Sequence, residues 1–232
     1  VAWEGDGFFD NAGSKLADLL PYAFFNALPV LGILVTLAIS LLVFKIGSPR
    51  PTGALTFVVL GLGMILAGGA GNLLERLDGL ELAGTPFTEA AFVYVGYGAV
   101  IVALGALAHW GPKLWGRRLP DPALHLLALG AFGATVVACL PLYVAGFLDD
   151  PADVFFVLSA IGHALMALVL VGFTLLALRG FSAGPAAGDD PFDGQTLEWA
   201  VSSPPPPNNF TEMPTVVSAE PLFDLKFSGG ER

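Results

Sequence analysis

The fold is decided by ADVFFVLSAIGHALMALVLVGFTLLALR, residues 152–179. Between Asp153 and Arg179 it holds no charged carboxylate, lysine or arginine; its polar side chains are Ser159, His163 and Thr174. A helix rises about 1.5 Å per residue, so about 20 apolar residues cross a hydrocarbon core of about 30 Å. The stretch therefore reads as a membrane span. Asp153 stands where the positive end of a helix dipole favours an acid. Segments 19–45, 53–74, 87–110 and 122–148 read the same way. The expectation is an all-α membrane protein: five transmembrane helices with an extended, proline-containing cytoplasmic tail. Its parts are an outer N-terminal segment 1–18, a bundle 19–180 and a tail 181–232.

Composition points the same way. Charged residues make up 13% of the 232, against about 25% in a typical soluble domain. So few charges cannot cover a globular surface, and lipid must be the main solvent. The net charge of −10, with no basic stripe, excludes nucleic-acid binding. The single Cys139 lies in an apolar run and reads as a buried structural thiol. The chain begins at Val1, and the acids Glu4, Asp6, Asp10 and Asp18 do not suit a signal peptide. Either a signal has been removed or further chain precedes Val1.

Helix starts are expected at Thr85-Pro86, Asp121-Pro122 and Asp150-Pro151, each a capping residue before a proline. Lys45, Arg50, Lys113, Arg117, Arg118 and Arg179 fall in alternate loops. Glu75, Asp78, Glu81, Asp149 and Asp150 dominate the others, with Arg76 the one base. That alternation places the N-terminus outside and the tail in the cytoplasm. The small side chains of GLGMILAGGAG, 61–71, suit close packing against another helix or a cofactor. Trp110 and Trp115 suit the membrane interface.

The tail contains TLEWAVSSPPPPNNF, 196–210. Four prolines favour a polyproline II strap. Trp199 and Phe210 flank it as anchors, and Leu222, Phe223 and Phe227 add apolar contacts that favour docking over a free tail.

TLEWAVSSPPPPNNF with MPTVVSAEPLFDLK resembles the C-terminal tail of subunit I of bacterial haem-copper cytochrome c oxidases. GAVIVALGALAHWGPKLWGR (98–117) is similar to that family's helix ending in HW-x-PK, here His109, Trp110, Pro112 and Lys113. Residues 57–85 and 159–170 are similar to its neighbouring helices. The resemblance implies the last five of twelve helices, in the orientation that the charges give. It also implies a His-x-His pair for two haems opening the third span. Here GTPFTEAAFVYVGYGA (84–99) places Ala90 and Phe92, or Ala91 and Val93, at those positions. None of them can ligate iron. The family's arginine pair would fall near 143–153 and its proton-pathway lysine in the first span; neither stands there.

The expectation is therefore a non-catalytic membrane subunit of an aerobic haem-copper oxidase complex or supercomplex, in the bacterial cytoplasmic membrane. It would have no catalytic residue, metal ligand or cofactor of its own. Haem and copper would sit in partner subunits, and its partners would be other oxidase subunits and membrane lipid. Two alternatives stand beside it: a C-terminal piece of a split or incompletely represented subunit I, and a small transporter or channel.

His109 and His125 lie near the cytoplasmic helix ends. His163 lies about eleven residues, roughly 16 Å, in from the opposite end of its span. One three-histidine metal site is thus not expected. An ionisable group at mid-membrane is a functional candidate. His163 is accordingly the one cofactor candidate, beside the alternative of a neutral histidine bonding across helices. Glu89, in the first turn of its span, reads as a helix-dipole partner or a proton-exit group.

Overall fold

The computed structural model describes residues 31–227 apart from 33, 48, 76–79 and 211–214. The N-terminal segment 1–18, the first part of the first expected span, and the loop residues Arg76 and Asp78 lie outside the described residues. Helix α1 covers Leu34–Ile46. Then follow α2 (Gly53–Leu74), α3 (Pro86–Trp115), α4 (Asp121–Ala145), α5 (Asp153–Ala183), a 3-10 turn (Leu197–Trp199) and α6 (Pro221–Phe227). The described residues form no strand, only an isolated bridge between Arg117 and Ala186. Helices α2 to α5 are each long and apolar enough to cross a membrane. The protein is an all-α membrane protein. Of the first expected span, only the described part can be placed, and α1 alone is shorter than a crossing.

The α2–α3 hairpin is the closest contact. Its helices are antiparallel, and small residues meet every seven positions: Ala54 with Gly105, Gly61 with Gly98, Gly68 with Ala91. A seven-residue repeat keeps a seam on one helix face with slight left-handed supercoiling. A Cβ added to Gly61 would stand 2.7 Å from the Gly98 carbonyl oxygen, and one on Gly98 2.7 Å from that of Gly61. In lipid, apolar burial gives no preference for helix over acyl chain, so close backbone approach provides the cohesion.

Helices α4 and α5 repeat the device. Gly162 lies directly on the backbone of Val137 and Ala138, while Gly130 meets Val169 and Gly172 meets Leu127. Phe57 of α2 and Phe173 of α5 close the core edge to face at 5.6 Å. Around them pack Ile101, Leu124, Ala128 and Met166. A second cluster gathers Met64, Tyr94, Cys139 and Leu142, with Cys139 a buried free thiol.

Helix starts differ from expectation at two of three points. Thr85 caps α3, its hydroxyl accepting the Phe87 N–H at 3.3 Å, with Pro86 at the first position. Asp121, however, is the first residue of α4 rather than its cap. Its Oδ1 accepts the Gly53 N–H at 2.8 Å, so it satisfies an orphan donor of α2 instead. Helix α5 starts at Asp153 with Ala152 before it, two residues beyond Pro151.

Replacing Gly98 by leucine should lower the thermal midpoint in detergent, followed by helical circular dichroism. Overpacking of this kind costs about 1–3 kcal/mol. Leucine at Gly63, where a Cβ meets nothing within 4 Å, should leave the midpoint unchanged.

Candidate functional site

The residues of HW-x-PK and those of the proline-containing tail lie on each other, at the bundle end where α3 and α5 finish and α2 and α4 begin. Helix α3 runs on through Pro112 to Trp115. This extension carries its last turns past the apolar span to meet the tail. Trp199 is buried and stacks on Trp110, with centroids 5.5 Å apart and planes 8° from parallel. His109 stacks on Phe192 at 4.6 Å and meets Trp199 edge on at 5.4 Å. Phe192 in turn meets Trp199 edge on at 5.6 Å. Such aromatic contacts add about 0.5–1.5 kcal/mol each beyond the area they bury.

Lys113 is 4% exposed. Its Nζ donates to the carbonyls of Asp189 at 2.9 Å and Val201 at 2.5 Å, and lies 5.8 Å from the centre of the Trp199 ring. A buried ammonium is costly unless acceptors surround it. Here the tail backbone supplies those acceptors. Gly116 ends α3 in the left-handed region, with φ 67°. A Cβ there would stand 2.7 Å from the Ser203 carbonyl oxygen, so glycine serves both the turn and the close approach of the tail. Beyond it, Arg118 N–H donates to Pro185 and Ala187 N–H to Gly116, both at 2.9 Å.

A second set of contacts fastens the tail at its surface. Asp193 accepts from Arg50 at 3.2 Å and from Lys226 at 3.0 Å, and Lys226 also donates to Asp190 at 2.6 Å. Leu222 N–H donates to the Gln195 carbonyl at 2.9 Å, bringing α6 back to the strap. Phe210 is half-buried and makes no ring contact among the described residues. The ring contacts of the tail with α3 run through Trp199 and Phe192.

The three histidines stand apart. His109 meets the tail; His125 Nδ1 lies 2.9 Å from Thr56 Oγ1; His163 Nδ1 lies 2.6 Å from the Tyr97 hydroxyl, with Ser159 Oγ 3.5 Å from its Nε2. Tyr97 has no counterpart in the sequence reading. The usable signal was general: a phenol inside a span favours a polar partner, and His163 is one of few available. Glu89 is exposed in the first turn of α3. No group of three or more His, Cys, Asp or Glu among the described residues is gathered to hold a metal.

The positions that the resemblance assigns to haem ligands do not fit haem. Ala90 and Ala91 are fully buried, Phe92 is 75% exposed, and Val93 packs on the second core cluster. None offers a lone pair to iron. Between α2 and α3 there is no room for a macrocycle: a Cβ on Gly68 would stand 2.7 Å from the Ala91 carbonyl oxygen.

Among known proteins, the chain is 28% identical to a cytochrome c oxidase subunit 1 of Bacillus subtilis, over 79% of its own length and 32% of the relative's. It is 34% identical to a cytochrome c oxidase subunit 1-beta of Streptomyces coelicolor, over 66% of its length and 31% of the relative's. A cytochrome c oxidase subunit 1 of Thermostichus vulcanus is 28% identical over 73% of the chain and 33% of the relative. The chain is a partial relative of cytochrome c oxidase subunit 1. No family model matches it. This subunit 1-like chain spans about a third of the length of the curated relatives it matches.

Lys113→Met should loosen the tail, because two carbonyls lose their donor and the ammonium leaves the Trp199 face. Limited proteolysis should then cut within 184–210 faster than in the parent chain. The surface latch also carries a pH signature. Hydrogen bonds from Lys226 and then Arg50 hold the Asp193 carboxyl below its ordinary 3.8. Its contribution is therefore present above pH 3.8 and lost as pH falls through the lowered value. The hydrogen bond to Asp190, then that to Asp193, raises Lys226 above its ordinary 10.5. That contribution is present below 10.5 and lost as pH rises through the raised value. Tail cleavage should stay flat through neutral pH and accelerate at either extreme.

Proposed function

We propose that this chain is a non-catalytic membrane subunit of an aerobic haem-copper oxidase complex or supercomplex. It corresponds to the C-terminal part of subunit I and holds neither haem nor copper. The carrying observation is a contrast along one chain. The two stretches that tie tail to bundle, HW-x-PK and the Trp199 strap, are retained and lie on each other. The stretch that would ligate iron holds buried alanines and an exposed phenylalanine. Its work in this reading is cohesion: it presents apolar helix faces to partner subunits and lipid, with the tail closing one end. The clustering of Lys and Arg in alternate loops supports a cytoplasmic tail in a bacterial cytoplasmic membrane.

Purification from the native membrane in mild detergent tests this. Haem-copper oxidase subunits should co-purify at constant ratio, and the separated chain should show no Soret absorption. A chain that purifies without such subunits, or that binds haem in a way lost on His163→Ala, overturns the reading. Intact mass far above that of these 232 residues would favour a piece of a longer subunit I.

A further inference from the structure

The tail does not fill the bundle end. A cleft of about 740 Å³ remains among α2, α3, the start of α4 and residues 191–195. Small-molecule sites occupy about 300–1,000 Å³. The walls are graded. Ala54, Leu55 and Val58 of α2 and Gly105 and Ala106 of α3 make them apolar along the spans. The mouth carries Arg50, Arg118, His109 and Gln195.

Two carboxylates also line it, and among the described residues only Asp193 is ion-paired. Asp121 accepts the Gly53 N–H, and Asp193 is shared between Arg50 and Lys226. Arg118 uses only its Nε, on the Ala187 carbonyl at 3.1 Å; its terminal nitrogens have no partner among the described residues. A phosphate takes paired N–H groups from a guanidinium well. It can also draw on Arg50, because Asp193 keeps Lys226 when Arg50 turns away, and exposed ion pairs hold weakly.

We propose that this cleft binds an anionic membrane phospholipid. The phosphate engages Arg118 and Arg50, and an acyl chain lies along the apolar wall of α2 and α3. A soluble phosphate would leave that wall uncovered. The site does not depend on membership of an oxidase complex.

Native mass spectrometry of the delipidated full chain tests it, with phosphatidylglycerol, phosphatidylcholine and inorganic phosphate as separate probes. Phosphatidylglycerol should be retained in preference to phosphatidylcholine. Arg118→Gln should weaken it about fivefold, the effect of one basic residue at an anionic surface. Ala106→Phe, which fills the wall at an exposed position without changing charge, should weaken it too. Arg179→Gln, away from the cleft, should not. Equal retention of the two lipids, displacement by inorganic phosphate at matching concentration, or no effect of Arg118→Gln or of Ala106→Phe would each overturn the proposal.

Discussion

The rest of the structure depends on how closely the backbones of α2 and α3 approach. Lipid tails are as apolar as leucine, so a span gains little by exchanging lipid for another apolar surface. What it gains is packing, and packing improves steeply as backbones near each other. Ala54, Gly61 and Gly68 against Gly105, Gly98 and Ala91 give that approach at three successive levels. The seam fixes the depth of α3 relative to α2. It thereby sets His109, Trp110 and Lys113 beside the loop that carries Arg50, where the tail then seats.

The tail is held by a different physics. Lys113 is a charge drawn out of water, and it is tolerable only because Asp189 and Val201 turn their carbonyls toward it. Tail and lysine therefore need each other: without the strap the ammonium lacks acceptors, and without the ammonium two carbonyls lack a donor. Trp199 covers the pair from one side and stacks on Trp110 on the other. The proline run adds little chain entropy to be lost on docking.

Hydropathy made the four long helices legible, because length and apolarity are local properties. Residues 53–74 match α2 to the residue. The boundaries that went astray are those decided by a neighbour. Asp121 looked like the cap of its own helix, but an N–H from α2 stood within reach. Trp199 could be named as an anchor from its bulk, whereas its partners His109 and Trp110 come from a distant stretch and Phe192 from earlier in the tail. Phe210 looked equivalent in sequence, but it is half-buried and makes no ring contact among the described residues. His163 was visible as an ionisable residue at depth; Tyr97, 66 positions away, was not.

Several polar groups of the long helices fall into two kinds. Thr56 meets His125 between α2 and α4, and Tyr97 meets His163 between α3 and α5. Thr135 and Thr174 return their hydroxyls to carbonyls one turn back. For a polar side chain in hydrocarbon, the choice of partner determines what it can do; the buried Tyr143 hydroxyl has no hydrogen-bond partner among the described residues. Partners on a neighbouring helix make a tie, and partners one turn back merely hide the group. The two histidine pairs thus join helices that the glycine seams do not, since those seams run from α2 to α3 and from α4 to α5. With the Asp121–Gly53 bond and the Phe57–Phe173 contact, these pairs join the two hairpins into one bundle, and on that bundle the tail has a surface to meet.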